Sequence, residues 1–390
     1  MPRPLRPTAR DAVQALQPSR IREVANSAMG RSDVLPFWFG ESDLPTPSFI
    51  RDAAAASLSA GETYYTQNLG RPWLREAIAR YLTDLHGQPI DDERVAVSGS
   101  GVSALMLANQ LIVEPGDRVV AVTPLWPNIV EIPKILGAEV VRVGLEVKDG
   151  RWSLDLDRLL DALTPGTRML ILNSPNNPTG WTLDATHRPP VLDHCRRHGI
   201  WLLTDDVYER LVFDPAQRSA PSFLPLVADD ERLISTNSFS KAWTMTGWRV
   251  GWLVTPRGLA DDLAKLIEYN TSCVAEPVQR AAFAAVTRGE EAVRQMRARL
   301  ASSRTQIVAG LERLPGVELP GAGGAMYAFF RITGHADSLA LARRLVGEAG
   351  LGLAPGIAFG PEGEGWLRWC HAVEPERLGQ GLERLARFLR

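Results

Sequence analysis

Lys241 and Arg249 lie eight residues apart in SFSKAWTMTGWRVGW, a stretch made otherwise of small, hydroxyl-bearing and apolar residues. A lysine just after a buried strand loses hydration, which lowers the pKa of its amine and favours the neutral, nucleophilic form. Ser238 and Ser240 add hydroxyl donors, and the Arg249 guanidinium can hold a phosphate with two hydrogen bonds. Taken alone, Lys241 is typical of a surface loop. An amine beside a phosphate site favours pyridoxal phosphate, an aldehyde that carries a phosphate.

Other residues have the chemistry that this cofactor requires. Asp205 follows the apolar run IWLLT and can keep the pyridine nitrogen protonated, so that the ring accepts electrons; its alternative role is a turn cap. Asn177 and Tyr208 can hydrogen-bond the phenolic oxygen of the ring, although Asn177 before proline is also typical of a turn. Trp126 can stack on the ring face or pack in the core.

A further phosphate contact is indicated by the stretch SGSGVSAL, residues 98–105. It places backbone N–H groups and hydroxyls at a predicted helix start, where anions bind well. The stretch matches neither a Walker sequence nor a dinucleotide fingerprint, and many glycine-rich helix starts are purely structural. It therefore supports a phosphate site only together with the other residues.

These residues follow short apolar runs that alternate with helical stretches, such as the one between Trp73 and Leu85 that Gly87 is placed to end. The alternation predicts an α/β fold with a mainly parallel, seven-stranded sheet, which binds ligands outside the carboxyl ends of its strands. We predict a large domain over residues 45–280, a smaller α+β domain over 281–390, and an N-terminal segment, 1–44, that joins the small domain after a mobile arm. The seven runs are RVAVS, RVVAV, AEVVRV, TRMLIL, IWLLT, RLIST and WRVGWLV.

Composition limits the classes of partner. A net charge of -2 gives no basic field for nucleic acid or an anionic membrane, and no run reaches the length of a membrane span or a signal peptide. Cys195, Cys273 and Cys370 lie far apart without metal-ligand spacing, which favours reduced thiols in the cytoplasm. His194 and His198 are spaced as a helical metal pair, but no third ligand is near, so no metal is predicted.

SGSGVSAL, NNPTG, DDVY and SFSKAWTMTGWRVGW together resemble the fold-type I, class I/II pyridoxal-phosphate aminotransferases of the aspartate aminotransferase superfamily. Counterparts run in order across nearly the whole chain: FGESDLPTP, YYTQNLGRPWLREAIARYL, TPLWPN, GGAMYAFF, APGIAFG and EGWLRW. The resemblance implies transfer of an amino group from an L-amino acid to a 2-oxo acid. It also implies that Lys241 forms the internal aldimine with pyridoxal 5'-phosphate and then moves the proton between Cα and the cofactor's C4′.

The resemblance also assigns roles to individual residues. Lys241, Asp205 and Tyr208 are expected to be catalytic. Tyr65 is expected to reach the phosphate of the neighbouring subunit's cofactor, which implies a homodimer with shared active sites. Arg368 matches the arginine that binds the substrate α-carboxylate, although by itself it would be read as a structural salt bridge. The remaining expected contacts are, for the cofactor, Ser100, Gly101, Val102, Trp126, Asn177, Ser238, Ser240 and Arg249, and for the substrate, Gly40, Asn177 and Trp126.

Two alternatives remain at this point. The same residues suit a C–S β-lyase, which begins with the same loss of a Cα proton. A non-catalytic cofactor-binding sensor module would accompany a DNA-binding domain, for which we expect no room before FGESDLPTP. The sequence identifies no second arginine for a dicarboxylate substrate. Trp38, Tyr64 and Phe359 would suit an aromatic or large apolar side chain if they line the pocket, but each can equally belong to an interface or the core.

Overall fold

The computed structural model describes residues 8–390, so the first seven residues of the predicted mobile arm lie outside the described residues. Helices and strands alternate along most of the chain. The helices are α1 Asp11–Gln14, α2 Arg20–Ser27, α3 Ser48–Ser59, α4 Pro72–His86, α5 Gly101–Ile112, α6 Pro127–Ile135, α7 Leu156–Ala162, α8 Arg188–His198, α9 Ala260–Thr271, α10 Glu276–Arg288, α11 Glu290–Glu312, α12 Ser338–Ala349 and α13 Pro375–Phe388. The strands are β1 Leu35–Pro36, β2 Val95–Ser98, β3 Arg118–Thr123, β4 Glu139–Gly144, β5 Glu146–Lys148, β6 Arg151–Ser153, β7 Thr167–Asn173, β8 Trp201–Asp205, β9 Leu233–Ser238, β10 Gly251–Val254, β11 Val317–Glu318, β12 Tyr327–Ile332, β13 Leu351–Gly352, β14 Ala354–Pro355 and β15 Trp366–Cys370.

The central sheet has seven strands in the order β2-β10-β9-β8-β7-β3-β4. Only β10 runs antiparallel to its neighbours, and the other pairs are parallel. Each of the seven apolar runs supplies one strand of this sheet, which confirms the prediction of an α/β fold with a mainly parallel, seven-stranded sheet. The carboxyl ends of the parallel strands therefore meet along one edge.

Both faces of the sheet are buried. On β3, Val119 and Ala121 belong to one apolar cluster, whereas Val120 and Val122 belong to another on the opposite face. Successive side chains of a strand point to opposite faces, so a strand covered on both sides is apolar at every position. This burial is the physical reason why the runs show no alternation in the sequence.

A second, antiparallel sheet lies in the C-terminal third, with strands in the order β11-β12-β15-β14. The N-terminal segment joins this region because β1 pairs with β13. Helix α4 ends at Gly87, which has a φ of 74° that favours glycine. The domain bounds at residues 44 and 280 stay a prediction. Within residues 8–390, no helix has both the length and the apolar character needed to cross a bilayer.

Candidate active site

A cavity of about 740 Å³ opens at the carboxyl edge of the central sheet, between the two sheets. Loops that follow β8 and β9 meet there with the start of α5 and with β12 and β15. The structure thus brings together residues from distant parts of the chain. The predicted site residues that line the cavity are Gly40, Gly101, Val102, Trp126, Asn177, Asp205, Tyr208, Ser238, Ser240, Lys241, Arg249 and Arg368.

Lys241 follows β9 and reaches into the cavity. Its Nζ donates a hydrogen bond to the backbone oxygen of Gly40 at 2.5 Å. Burial lowers the pKa of Lys241 to about 8, and the positive charges of Arg368 and Arg249 act in the same direction. Near pH 7, the uncharged fraction of the Lys241 amine is therefore larger than that of an exposed lysine. The neutral amine is the form that attacks an aldehyde.

Asp205 is the last residue of β8 and is buried. Asn173, at the end of neighbouring β7, donates from Nδ2 to an Asp205 carboxylate oxygen at 3.3 Å. Burial, and next to it the charge of the adjacent Asp206, raise the pKa of Asp205 to about 7. No basic side chain of residues 8–390 lies within 4.0 Å of the Asp205 carboxylate. The site thus presents a buried acid that a cationic ring nitrogen would complement.

Hydroxyl groups and a guanidinium gather at the other end of the cavity, near the start of α5. Ser238 Oγ donates to Ser240 Oγ at 2.9 Å, and a Cβ added at Gly101 would lie 3.0 Å from the Ser238 Cβ. Arg249 has a left-handed backbone with a φ of 53°, which is uncommon for a residue with a side chain and typical of functional sites. Its Nη1 donates to the Thr246 oxygen at 2.6 Å. This arrangement can hold an anion.

Arg368 is buried in β15, where its Nη1 donates to the Asn177 side-chain oxygen at 2.8 Å and its Nη2 donates to the Trp38 backbone oxygen. Its guanidinium carbon lies 4.5 Å from the Tyr327 ring centre and 4.9 Å from that of Phe359. Among the described residues, no acidic side chain forms a salt bridge with Arg368. A structural salt bridge was the alternative interpretation of Arg368, and that interpretation is wrong within residues 8–390.

Some expected contacts are not made within this chain. Ser100 Oγ accepts from the Ser103 backbone N–H at 2.9 Å, so the Ser100 side chain caps α5 and does not line the cavity. Tyr65 and Tyr64 are 88% and 83% exposed and lie outside the cavity lining. Phe359 packs against Arg368, outside the same lining. Trp38 borders an adjacent cavity of about 370 Å³.

The sequence interpretation missed twelve residues of the cavity lining, and four of these, Asn173, Tyr327, Arg22 and Phe39, matter for the site. Asn173 is the last residue of β7, and the rule that ligands meet strand ends could have found it. Tyr327 lies in GGAMYAFF, where the resemblance assigned no residue. Arg22 and Phe39 also line the cavity, and the Arg22 guanidinium carbon lies 5.6 Å from the Phe39 ring centre. Nothing in the sequence around Arg22 distinguishes it from Arg20, the other arginine of α2.

The sequence model of the family described as aminotransferase class I and II matches residues 32–385. The chain belongs to this family. It is a pyridoxal-phosphate-dependent aminotransferase, as the sequence motifs implied.

Relatives match over their full length. The chain is 34% identical to an aspartate aminotransferase of Pyrococcus horikoshii, over 97% of this chain and 96% of that protein. It is 30% identical to aromatic-amino-acid aminotransferase 2 of Thermococcus litoralis, over 97% and 98% respectively. The structure of aspartate aminotransferase from Thermus thermophilus with maleate is similar, with a TM-score of 0.90 and 31% identity over 99% of this chain and 100% of that one.

The residues of the cavity fit pyridoxal phosphate, the cofactor of this family. Asp205 is a buried acid without a cationic partner among residues 8–390, as the pyridinium nitrogen requires. The hydroxyls of Ser238 and Ser240 lie beside Arg249 at the start of α5, as a phosphate requires. In the same cavity, Lys241 presents an amine with a lowered pKa, as the aldehyde requires.

Proposed function

We propose that this aminotransferase transfers the amino group of an L-amino acid to a 2-oxo acid within the cavity at the carboxyl edge of the sheet. The observation that carries the proposal is the juxtaposition of three buried or partly buried groups. A lysine with a lowered pKa, an acid with a raised pKa and an arginine without an acidic partner in the described chain line one cavity. They are Lys241, Asp205 and Arg368.

When bound, pyridoxal phosphate supplies an electron sink for the charge left on an amino acid that loses its Cα proton. In the proposal, Lys241 holds the cofactor at its aldehyde carbon until the substrate amine displaces it. The freed Nζ then takes the Cα proton and delivers it to C4′. Asp205 holds a proton on the pyridine nitrogen, because its carboxylate is stabilised in the buried site only by a positive partner.

The remaining residues hold the cofactor at its other groups. Tyr208 and Asn177 donate hydrogen bonds to the phenolic oxygen, and Trp126 covers the ring face. Gly101 and Val102 at the start of α5, together with the hydroxyls of Ser238 and Ser240 and the guanidinium of Arg249, would hold the phosphate. Ser100 contributes by its backbone and by capping that helix.

Arg368 binds the substrate α-carboxylate in this proposal. A guanidinium presents two parallel donors to a carboxylate, which fixes the orientation of the amino acid as well as its position. The backbone of Gly40 lies beside the substrate, since its oxygen accepts from Lys241 Nζ in the free protein. A side chain at position 40 is excluded because its Cβ would lie 2.0 Å from the Tyr327 hydroxyl.

We propose acidic amino acids as donors, together with aromatic ones. The cavity lining includes Arg22 and Phe39, a cation beside an aromatic ring. Arg22 forms no salt bridge with an acidic side chain of residues 8–390, whereas Arg20 on the same helix pairs with Glu23 at 2.7 Å. A carboxylate on the substrate side chain would supply the missing partner. The names of the relatives include both aspartate and aromatic aminotransferases.

Substitution of Arg22 tests this substrate class. Arg22→Ala is expected to lower kcat/KM for aspartate about tenfold or more, because it removes a charge-assisted hydrogen bond, and to leave phenylalanine nearly unaffected. Arg20→Ala is the matched control on the same helix. The assay measures the 2-oxo acid formed from each donor. Equal losses for both donors would contradict the role of Arg22, and release of pyruvate and ammonia from a cysteine conjugate in place of transamination would contradict the proposed reaction.

We also propose a homodimer in the cytoplasm. Tyr65 is exposed and does not line its own cavity, so a second copy is needed for it to contact a cofactor phosphate. The exposed Tyr64 and Tyr269 provide further aromatic surface of the kind found at interfaces. Cys195, Cys273 and Cys370 are all free thiols, which supports a reducing compartment.

A further inference from the structure

Two buried tyrosine hydroxyls meet at the wall of the cavity. Tyr208 follows β8 of the central sheet, and Tyr327 is the first residue of β12 in the second sheet. Their hydroxyl oxygens lie 2.5 Å apart, at hydrogen-bonding distance, and both side chains are almost fully buried. The contact therefore joins the two sheets at the site.

Tyr327 also touches the other parts of the site. The Arg368 guanidinium carbon lies 4.5 Å from the centre of its ring. A Cβ added at Gly40 would lie 2.0 Å from its hydroxyl, so that hydroxyl packs on the Gly40 backbone, whose oxygen accepts from Lys241. The Tyr327 side chain thus contacts Arg368, Gly40 and Tyr208, the residues proposed to bind the substrate carboxylate, the substrate and the phenolic oxygen of the cofactor.

The direction of the hydrogen bond between the tyrosines follows from counting protons. Each phenol carries one proton to donate. If Tyr208 donates to the phenolic oxygen of the cofactor, then the proton between the two tyrosines must come from Tyr327.

Burial keeps both tyrosines protonated. Burial raises the pKa of Tyr327 to about 12, and the positive charge of Arg368 opposes the rise. Burial raises the pKa of Tyr208 well above its ordinary value, and Tyr327 raises it further. Both phenols therefore keep their protons near neutral pH, so each has one proton to donate.

We propose that Tyr327 is a positioning residue for the transamination site. Its hydroxyl donates to the Tyr208 oxygen and so commits the Tyr208 proton to the phenolic oxygen of the cofactor, while its ring holds the Arg368 guanidinium. This role rests on the proposed function, in which Tyr208 contacts that oxygen. A hydroxyl whose oxygen accepts a hydrogen bond becomes a stronger donor itself. Tyr208, whose oxygen accepts from Tyr327, therefore binds the phenolate form of the cofactor more tightly when Tyr327 is present.

The test uses the holoenzyme and reads the visible absorption of the bound cofactor as a function of pH. Tyr327→Phe removes the hydroxyl and keeps the ring. We expect the pH midpoint of the absorption change to rise by about half a unit, because the deprotonated cofactor loses stabilisation. KM for the amino acid should stay within about twofold, since the ring beneath Arg368 remains. Tyr81→Phe is the matched control, because it removes a hydroxyl that is bonded to Arg210 outside the cavity.

A double-mutant cycle separates this role from a general structural one. Tyr208→Phe should raise the midpoint more than Tyr327→Phe does, and the double variant should equal Tyr208→Phe alone, because Tyr327 acts through Tyr208. An unchanged midpoint in Tyr327→Phe, or additive shifts in the double variant, would overturn the positioning role of Tyr327. Neither result would contradict the contact of Tyr208 with the cofactor. An unchanged midpoint in Tyr208→Phe would overturn the proposed contact with the cofactor as well. Thermal unfolding of each variant reports its folding independently.

Discussion

Asp205 and Lys241 line the same cavity, and the protein shifts their pKa values in opposite directions. Burial raises the pKa of the acid to about 7 and lowers that of the amine to about 8. Both shifts disfavour the charged form and so destabilise the cofactor-free protein. Such groups are typical of functional sites, where a ligand provides the missing partner.

In the cofactor-free protein, the contribution of Asp205 to stability is expected to fall as the pH rises from about 4 to about 7, whereas buried His371, with a pKa lowered to about 3, contributes a slope of the opposite sign. The folded state keeps the Asp205 proton up to a pH of about 7, whereas the ordinary carboxyl of the unfolded chain releases it near 3.8. At this carboxyl the folded state therefore binds more protons in this window, and its contribution to the free energy of unfolding falls with rising pH until the full loss is reached above about 7.

Urea unfolding of the cofactor-free protein across this pH range measures the slope. Asp205→Asn should remove the Asp205 contribution and so make the slope more positive than in the wild type, while Asp206, whose pKa is raised to about 6, keeps a contribution of the same sign as Asp205. Bound cofactor should shift the slope of the wild-type protein in the same positive direction, because a pyridinium nitrogen stabilises the Asp205 carboxylate. Identical slopes in Asp205→Asn and wild type would contradict the assignment of the raised pKa.

At the residue scale, the motifs along the chain and the family resemblance together predicted twelve of the residues that line the cavity. Tyr327 was not assigned a role because its contact with Tyr208 spans 119 residues and depends on how the two sheets approach each other. Arg22 was missed for a similar reason, since its place at the cavity is set by the packing of α2. Chemistry local to one loop is visible in the sequence, whereas contacts between distant elements are not.

At the scale of elements, the strands were predictable because burial on both faces leaves a continuous apolar run. The antiparallel direction of β10 was not predictable, because an apolar run such as WRVGWLV can pair with its neighbours in either direction. This strand brings Gly251 against the start of α5. A Cβ added there would lie 2.5 Å from the Asn237 oxygen and 2.8 Å from the Gly101 nitrogen.

Gly251→Ala is expected to destabilise the protein by about 1 to 3 kcal/mol, because backbone atoms of β9 and α5 must move to admit the methyl group. The same movement should weaken cofactor binding, since Gly101 lies at the proposed phosphate site. Gly258→Ala is the matched control, with no heavy atom within 4 Å of the added Cβ. Chemical denaturation and cofactor titration measure both effects. Equal stability of the two variants would contradict the close packing of β10 on α5.

At the scale of the whole molecule, the second sheet completes the site that the central sheet begins. Tyr327 and Arg368 come from paired strands of the second sheet, β12 and β15, and the proposed cofactor ligands come mainly from loops of the first. The pairing of β1 with β13 carries the N-terminal segment to the same region and places Gly40 and Arg22 at the cavity. The predicted grouping of the N-terminal segment with the C-terminal third has this pairing as its physical basis.

A homodimer with shared sites makes a prediction about mixed subunits. Tyr65→Ala and Lys241→Ala are each expected to lower activity strongly, the first by loss of a phosphate contact across the interface. A heterodimer of the two variants contains one site with both native residues, so mixing after partial unfolding should restore up to about a quarter of the wild-type activity if the subunits assort at random. Size measurement checks the dimer, and no gain of activity on mixing would contradict the shared site.

The central claim is that the Lys241 amine holds the cofactor, and the lysine content makes it directly testable. The chain has three other lysines; Lys134 and Lys265 form salt bridges with Glu131 and Asp262, and Lys148 is exposed. Borohydride reduction of the holoenzyme fixes the cofactor to the amine that holds it, and mass spectrometry of the peptides locates it. We predict one phosphopyridoxyl group per chain, on Lys241. A modified peptide that carries another lysine, or none that carries Lys241, would contradict the account.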